Sequence, residues 1–598
     1  MPLISCWIHF FSLLGRSDRV RFLLIASLSG FQALLETVGV GLIPMFILVL
    51  QRPEAVFNYP QIGTLLHRIG VADAQALIFT TGIALLAAYV LKSIVGVGIT
   101  FAQSRFTERI HLSLAMRLLA AYIFSPYTLH LQRNSSEMVR CVLGEVGIMI
   151  TSLLTTAFAI VVELLTASLI MVLLLSLQPE IALGTTVFFG IASLLFYRMI
   201  RYRISEFGMQ NQQQGRLALK WLTQGLAGVK EVKLYGKESF ILNHFSSHLA
   251  CGNRAANNHI LVTLLPRYFN ELIAVVGVLA VTAILLRDDP TQILPVLAMF
   301  AVAATRIIPS LNRLVTAFSN VKYGLPAASS VIADLQSLEH GKKTGGGNTP
   351  VRALKFESLQ IKDLHFRYQE GDFEIRIPDF SLHRGQKIAF VGPSGSGKTT
   401  IVDLMVGLLA PSGGEVDVNG KPIQFVCQEW QAGIGYISQS IFLLDDSIRR
   451  NVAFGIPDQD IDDESVWKAL EAAQLASFIA SLPEGLGSMI GDRGVRLSGG
   501  QRQRIGIARA LYRHLEVLVL DEGTSALDTV TESQVVQAIN DLGPEITVVV
   551  VAHRISTVKN CDMIFFIKDG RVVASGSYNQ LVQLFPEFNR MVDPLHAK

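Results

Sequence analysis

The chain has 598 residues, of which 50% are hydrophobic and 17% are charged, and its formal net charge is +3. This balance is too apolar for an ordinary soluble protein, so we predict a membrane protein with a soluble part. The net charge says little by itself, but the absence of a long basic run argues against a nucleic-acid-binding tail. The five cysteines are scattered without a Cys-X-X-Cys pair, so neither a metal site nor a disulfide framework is expected.

The first half of the chain is dominated by apolar segments. Met1–Leu14 carries neither a charged n-region nor a signal cleavage site, so we interpret it as an interfacial helix. Six stretches long enough to cross a bilayer follow it. The predicted spans are Arg21–Leu50, Ala76–Ala102, Ile148–Leu177, Ile181–Tyr197, Asn270–Leu286 and Gln292–Phe318.

Lysine and arginine concentrate in the connections after the second and fourth spans, whereas the other connections are short and poor in positive charge. Because basic connections stay on the cytoplasmic side, this asymmetry places both termini in the cytoplasm. The two basic connections are also long, and we expect them to continue as helices well past the membrane.

The composition changes after Leu338. The segment Glu339–Pro350 contains a glycine-rich run typical of a flexible linker. Beyond it, continuous apolar runs such as Ile388–Val391 and Val517–Leu520 predict buried parallel strands, and hence an α/β nucleotide-binding domain. The predicted division is residues 1–338 for the membrane domain, 339–354 for the linker and 355–598 for the nucleotide-binding domain.

The segment Gly392–Thr399 reads Gly-Pro-Ser-Gly-Ser-Gly-Lys-Thr, which matches the phosphate-binding Walker A pattern. It follows the strand Ile388–Val391 and precedes a predicted helix, Ile401–Leu409, as the motif requires. Lys398 is expected to contact the β- and γ-phosphates of ATP, and the Thr399 hydroxyl to hold Mg²⁺. The nucleotide-binding set predicted here is Gly392, Pro393, Ser394, Gly395, Ser396, Gly397, Lys398, Thr399 and Thr400.

The apolar run Val517–Leu520 ends in Asp521-Glu522, a Walker B pattern. Asp521 lies at the carboxyl end of the predicted strand, where it can reach the shell of the metal ion. Glu522 is placed to orient and deprotonate the attacking water, so we predict it as the catalytic base.

The residues Leu497, Ser498, Gly499, Gly500 and Gln501 are similar to the signature motif of ABC transporters. In that family the signature loop completes the ATP site of the opposite cassette. The resemblance therefore implies that two chains assemble. A homodimer would have two competent sites, and a heterodimer remains open.

Other landmarks of the ABC family occur in the expected order. The resemblance implies that Tyr368 stacks on adenine, and that Gln439 is the Q-loop glutamine and a Mg²⁺ ligand. It also implies that Asp528 belongs to the D-loop and that His553 is the switch histidine, a catalytic residue contacting the γ-phosphate. One departure is Gly523, where alanine is usual in the family.

The order of six helices and then a cassette is similar to that of type IV exporters. Pro126–Glu137 and Gly228–Glu238, within the long connections, resemble their coupling segments. We therefore expect an all-α six-helix membrane domain followed by an α/β P-loop cassette. The implied activity is ATP hydrolysis coupled to transmembrane transport, with ATP and Mg²⁺ as cofactors.

Four cationic residues fall near membrane depth, where charge is expensive and usually functional. They are Lys92, Arg267, Arg306 and Arg313. One interpretation is ion pairing with nearby carboxylates, combined with interfacial snorkelling. The other is a cationic wall for an anionic head group. The acidic candidates for pairing are Glu36, Glu145, Glu163 and Glu271.

A narrower resemblance concerns the membrane domain, which is similar to bacterial flippases of lipid-linked oligosaccharides, the PglK group. The similar segments are Leu34–Gly39, Asn134–Glu137, Gly144–Val146, Pro266–Glu271 and Arg306–Arg313, and Val56–Arg68 is similar to a short external helix. In that family, cavity arginines are thought to engage the pyrophosphate of a polyprenyl-linked sugar. This implies substrate contacts for Lys92, Arg267, Arg306 and Arg313. Lys92 stands where the family has arginine, and lysine binds phosphate as a point charge.

We therefore predict an exporter in the bacterial inner membrane that flips a polyprenyl-pyrophosphate-linked oligosaccharide or a similar anionic amphiphile. A peptide or drug exporter of the same architecture is the alternative. An ATP-gated channel or regulator is disfavoured, because gating alone would not need Glu522 and His553. The membrane spans exclude a soluble cassette protein acting on ribosomes or DNA.

Overall fold

The computed structural model describes residues 3–51, 53, 73–177, 179–288, 293–339, 351–368, 373–513, 515–521, 529–540, 543–552 and 558–592. The predicted external helix Val56–Arg68 and the glycine-rich part of the linker lie outside these residues. The chain divides into two compact units. One comprises Met1–Ser125 with Leu129–Gly345, and the other comprises Pro126–Thr128 with Gly346–Lys598.

All regular secondary structure among the described residues up to 339 is helical. Its helices are α1 (Leu3–Leu13), α2 (Arg16–Gln51), α3 (Ala74–Ile123), α4 (Tyr127–Gln132), α5 (Ser135–Arg140), α6 (Val146–Ile150), α7 (Thr156–Leu177), α8 (Pro179–Ala227), α9 (Val229–Leu234), α10 (Glu238–Asp288) and α11 (Ile293–Glu339). Two π-helical turns, Cys141–Glu145 and Thr151–Thr155, join α5, α6 and α7 into one continuous run.

Each of the six predicted spans falls in a different long helical run. Four stretches of the described residues are long and apolar enough to cross a membrane. They are Arg16–Gly39, Ala74–Ile123, Ser135–Val172 and Glu238–Leu279. Helix α3 has 50 residues, or about 75 Å at the usual helical rise. Because a bilayer core needs about 30 Å, such helices run far past the membrane, as predicted for the basic connections.

The helical runs approach one another closely at two glycines of this unit. A Cβ at Gly324, on α11, would overlap the hydroxyl of Ser152, which lies in the second π-helical turn. A Cβ at Gly208, on α8, would overlap the carbonyl oxygen of Tyr323. Small residues permit this backbone proximity between neighbouring helices.

A buried carboxylate links the run that contains α5 to helix α8. Glu145 is 1% exposed, and Arg140 Nε and Arg216 Nε each lie 3.6 Å from its Oε1. Gln212 Nε2 donates to Glu145 Oε2 at 2.9 Å. The sequence offered Glu145 as a partner for the membrane-depth cations, but the structure pairs it with these two arginines.

A second carboxylate, Asp334 of α11, extends this polar cluster. Arg133 Nη2 lies 2.9 Å from Asp334 Oδ2, and the Tyr122 hydroxyl donates to the same oxygen at 2.5 Å. Arg216 also pairs with Glu137, at 2.7 Å. These partly buried ion pairs are weak evidence for added stability, but Asp334 ties α11 to α3 through the hydroxyl of Tyr122.

The described residues beyond 350 form an α/β unit with an 11-stranded sheet. The strands are β1 (Ser358–Arg367), β2 (Glu374–Ile377), β3 (Phe380–His383), β4 (Lys387–Val391), β5 (Gly413–Val418), β6 (Lys421–Pro422), β7 (Ile434–Ile437), β8 (Val517–Asp521), β9 (Thr547–Val551), β10 (Met563–Lys568) and β11 (Arg571–Gly576). The strand order is β6-β5-β1-β2-β11-β10-β4-β9-β8-β7, with β3 paired to β1.

The helices of this unit cover the sheet. They are α12 (Lys398–Met405), α13 (Ile423–Ala432), α14 (Ile448–Val452), α15 (Asp463–Ala472), α16 (Ala476–Ala480), α17 (Gly499–Leu511), α18 (Thr529–Asn540), α19 (Tyr578–Leu584) and α20 (Pro586–Val592). The predicted helix Ile401–Leu409 is shorter at its end, because Gly407 adopts φ +76° and leaves the helical conformation.

Candidate active site

Parallel strands bring the nucleotide motifs to one edge of the sheet. Strands β4, β9, β8 and β7 are consecutive neighbours, and all of their pairings are parallel. In register, Phe390 pairs with Val551, Val551 with Asp521, and Leu520 with Ile437. The carboxyl ends of these strands therefore lie side by side. In open α/β sheets, ligands bind at this edge.

The loop after β4 has the conformation of a phosphate-binding loop. Gly395 and Gly397 have φ values of +78° and +100°, which side chains with a Cβ rarely adopt. Gly397 is also the N-cap residue of α12. The backbone N–H groups at such a helix start favour anionic phosphate oxygens.

Lys398 is buried in this loop, with 5% of its surface exposed. Its Nζ donates to the carbonyl oxygens of Gly392 at 3.0 Å and of Pro393 at 2.9 Å. These carbonyl contacts hold the ammonium inside the loop, where it can exchange them for phosphate oxygens.

Asp521 brings the predicted Walker A and Walker B residues together. The residue is 4% exposed, and the Thr399 hydroxyl donates to Oδ1 of its carboxylate at 3.2 Å. Hard oxygen donors of this type suit Mg²⁺, and a threonine hydroxyl can donate its proton while a lone pair faces a cation. The residues present therefore fit the predicted cation.

Two further side chains share this site, and neither has a role predicted from the sequence. The Tyr436 hydroxyl donates to Asp521 Oδ2 at 3.1 Å. Asp403, on α12, is 9% exposed, and burial together with the charge of Asp521 raises its pKa to about 6. Tyr436 precedes the Q-loop motif by three residues, and Asp403 interrupts an apolar helix. Those positions are the only sequence signals for them.

Of the remaining predicted cassette residues, the structure describes Tyr368 and Gln439. The Tyr368 hydroxyl lies 3.1 Å from Thr400 Oγ1, and its ring packs edge-on against Phe366. Gln439 is exposed in the loop that follows β7. The predicted residues Glu522, Asp528 and His553 lie outside the described part of the chain.

The signature residues begin helix α17. The Ser498 side chain accepts a hydrogen bond from Gln501 N at 3.2 Å, and Gln501 Oε1 accepts one from Ser498 N at 2.8 Å. This reciprocal capping box fixes the loop. Leu497 is buried, whereas Ser498 and Gly499 are exposed at the surface of the unit.

In the membrane domain, two of the four predicted cations form ion pairs. Arg313 Nε contacts Glu163 Oε1, and the two side chains are 56% and 9% exposed. Arg267 pairs with Glu271 at 3.0 Å, and both side chains are exposed. Of the two interpretations that the sequence left open, ion pairing is thus seen for these two arginines, and binding of a head group remains a proposal.

The other two predicted cations are Lys92 and Arg306. The Lys92 ammonium lies over the Tyr89 ring, 5.4 Å from its centroid, and the Tyr89 hydroxyl donates to the Gly39 carbonyl at 2.9 Å. No carboxylate among the described residues forms an ion pair with Lys92. Arg306 lies within α11, but its side chain falls outside the described part of the structure.

Two segments singled out in the membrane domain meet through a buried amide pair. Asn270 is 0% exposed, and its Nδ2 donates to Asn312 Oδ1 at 2.6 Å. The Ser193 hydroxyl donates to Asn270 Oδ1 at 3.3 Å. These hydrogen bonds connect α8, α10 and α11.

Two family models match this chain. The model described as ABC transporter matches residues 375–525, and the one described as ABC transporter transmembrane region matches residues 33–286. The ATP-dependent lipid A-core flippase of Ralstonia nicotianae is 29% identical over 501 residues, which are 82% of this chain and 83% of the relative. A multidrug resistance ABC transporter ATP-binding and permease protein of Lactococcus lactis is 38% identical over 240 residues, 40% of each chain.

Among solved structures, a bacterial Atm1-family ABC exporter with ATP bound resembles this chain with a TM-score of 0.77. The likeness covers 98% of this chain and 99% of that chain, at 24% sequence identity. At this identity the likeness concerns the fold, which is that of a helical membrane domain followed by an ATP-binding cassette.

Proposed function

This chain belongs to the ABC transporter family and couples ATP hydrolysis to export, and on that premise we propose that its cargo is an amphiphile with an anionic head group. A polyprenyl-pyrophosphate-linked oligosaccharide is the specific candidate that the membrane-domain segments favour. The Ralstonia relative is named a lipid A-core flippase, and its similarity covers 82% of this chain. This name supports a lipid cargo.

The observation that carries the proposal is the environment of Lys92. Its ammonium faces the Tyr89 ring, and no described carboxylate pairs with it. A cation at membrane depth is costly unless an anion or a polar cavity compensates it. An anionic head group would supply that compensation during transport.

Arg313 supports the same proposal despite its ion pair. The contact to Glu163 is made by Nε, and more than half of the Arg313 side chain is exposed. The terminal nitrogens can therefore still approach a phosphate group, for which the planar guanidinium is well suited.

The test is lipid flipping by the purified protein in liposomes, with a fluorescent polyprenyl-pyrophosphate oligosaccharide as the probe. Lys92→Gln should slow flipping more than about tenfold, since one charge-assisted contact is worth about 1.5–3 kcal/mol. Basal ATP hydrolysis should change much less. The matched control is Lys220→Gln, which removes the same charge from an exposed position on α8 and should flip normally.

Combining Arg306→Ala with Arg313→Ala should abolish flipping while leaving ATP hydrolysis largely present. If instead both activities and the membrane yield are lost, the arginines serve the fold. Normal flipping by a well-folded Lys92→Gln protein and by the double variant would refute the anionic cargo.

The Lactococcus relative makes a drug exporter the second candidate. Stimulation of ATP hydrolysis by uncharged drugs would favour this second candidate.

We further propose that two copies of the chain assemble and that each signature loop serves the partner's nucleotide. The exposed, capped Ser498 supports this, because its hydroxyl lies at the surface of its own unit. A mixed dimer with Lys398→Ala in one chain and Ser498→Arg in the other should keep one intact ATP site. Two damaged sites would show that the loop serves its own chain.

For the cation, we propose that Thr399 and Gln439 hold Mg²⁺ and that Asp521 lies beside it. Bound Mg²⁺ would neutralise charge on the transferred phosphate. The hydrogen bond between Thr399 and Asp521 supports this assignment. Asp521→Asn should raise the Mg²⁺ concentration needed for half-maximal ATP hydrolysis.

We also propose that the protein lies in the bacterial inner membrane, with the cassette and both termini in the cytoplasm. The basic residues of the two long connections support this orientation. Cys251 is exposed on α10, in the second of these connections. A membrane-impermeant maleimide should label it in inside-out vesicles, and labelling in intact cells instead would reverse the orientation.

A further inference from the structure

The two oxygens of the Asp521 carboxylate have different hydrogen-bond donors. The Thr399 hydroxyl donates to Oδ1 at 3.2 Å, and the Tyr436 hydroxyl donates to Oδ2 at 3.1 Å. Thr399 belongs to the phosphate-binding loop. Tyr436 comes from a neighbouring strand of the sheet and is not part of that loop. The carboxylate is therefore held from two sides.

The sheet fixes the position of the Tyr436 hydroxyl. Tyr436 lies on β7, where it pairs with Val519 of β8, two residues before Asp521. Its ring is partly buried and packs against the apolar core cluster that includes Val517 and Val519 of β8. Burial raises the pKa of Tyr436, so the phenol remains a proton donor across the physiological pH range.

We infer that Tyr436 is a positioning residue for ATP hydrolysis, which holds Oδ2 of Asp521 so that Oδ1 faces Thr399 and the cation that binds there. A carboxylate held by one donor can rotate about its terminal torsion, because that torsion is broad. The second donor removes this freedom. Hydrogen-bond partners of this kind typically change metal affinity by about 10–100-fold when they are removed.

Tyr436 should affect binding of the cation but not binding of the nucleotide without the cation. Tyr436 contacts the carboxylate of Asp521, whereas the phosphate-binding groups lie in the loop after β4. Removing the phenolic hydroxyl should therefore weaken the response to Mg²⁺ and leave cation-free nucleotide binding nearly unchanged. A residue that only supported the fold would weaken both.

The test uses the full-length protein in lipid nanodiscs and a fluorescent, non-hydrolysable ATP analogue. The dissociation constant of the analogue is first measured in EDTA. Mg²⁺ is then added to the mixture of protein and analogue, and the Mg²⁺ concentration at half-saturation of the signal is determined. For Tyr436→Phe we expect the half-saturating Mg²⁺ concentration to rise about tenfold, with the dissociation constant in EDTA within about twofold of wild type.

The matched control is Tyr512→Phe. This change removes a phenol that accepts a hydrogen bond from Asp462 N at 3.1 Å, within the same unit, without touching Asp521. Both constants should match wild type in this control. If Tyr436→Phe is not recovered from the membrane, Tyr436→Met fills similar space and tests the same loss.

Two results would overturn the inference. One is a Mg²⁺ half-saturation in Tyr436→Phe within twofold of wild type, because the second donor would then be irrelevant to the cation. The other is an equal loss of affinity in EDTA and in Mg²⁺, because Tyr436 would then shape the whole nucleotide site.

Discussion

The buried carboxyl of Asp403 is expected to destabilise the cassette at neutral pH, so Asp403→Asn should stabilise it. Burial and, second, the charge of Asp521 raise the pKa of Asp403 from 3.8 to about 6. The side chain is only 9% exposed, so solvent screening is weak. This rise in the pKa of Asp403 corresponds to about 3 kcal/mol in the free energy of unfolding.

Proton linkage determines how the ionisation of Asp403 changes the stability of the cassette with pH. An acid whose pKa is higher in the folded protein than in the unfolded chain favours folding when it is protonated. For Asp403 the destabilisation is therefore absent below about pH 4, grows between about pH 4 and 6, and is complete above that window. Asparagine is neutral throughout and removes this dependence.

The assay is thermal unfolding of the purified full-length chain in EDTA without nucleotide. At pH 7.5 the cassette transition of Asp403→Asn should rise by about 6–12 °C. At pH 5 the gain should fall to about half of that value. The matched control is Asp417→Asn, because Asp417 is similarly buried but pairs with Lys362 at 2.8 Å. This control should show no gain.

Two outcomes would refute the reasoning for Asp403. The first is an unchanged or lower transition temperature of Asp403→Asn at pH 7.5. The second is a gain of equal size at both pH values, since that would show that the ionised carboxyl is not the source.

Two further predictions concern catalysis and packing. Glu522→Gln should retain ATP binding but lower turnover by a factor of about 100 or more, because an amide cannot accept the water's proton; near-normal turnover in steady-state ATPase measurements would remove Glu522 from this role. Gly324→Ala should lower the free energy of unfolding of the membrane unit by about 1–3 kcal/mol, because the added methyl group would overlap Ser152. The control Gly98→Ala has open space around its Cβ and should not destabilise; equal loss in both variants would contradict the packing explanation.

Local sequence patterns were sufficient for the parts of the molecule that depend on near neighbours. The strand before Lys398 and the helix after it follow from short motifs, and the turn between β10 and β11 has the Asp-Gly sequence typical of a hairpin. The hairpin turn, Asp569-Gly570, has φ values of +48° and +74°, which its residues favour. Long apolar runs predicted the membrane helices in the same way.

Contacts between distant segments were beyond the sequence. Glu145 was a candidate partner for four cations, and only the packing of α8 against the run containing α5 selects Arg140 and Arg216. Tyr436 and Asp521 are separated by 85 positions, and their hydrogen bond arises because β7 and β8 are neighbours in the sheet. Spacing along the chain carries no information about such pairs.

The capping box at Ser498 has a consequence for association. Its hydroxyl uses one lone pair to accept from Gln501 N, and a serine hydroxyl still has a proton to donate. The loop is thus ordered by the helix that it begins, before any ligand arrives. The conformational entropy of the loop is lost when the cassette folds. It does not have to be lost again when the loop binds the partner's nucleotide, which favours fast and reversible binding.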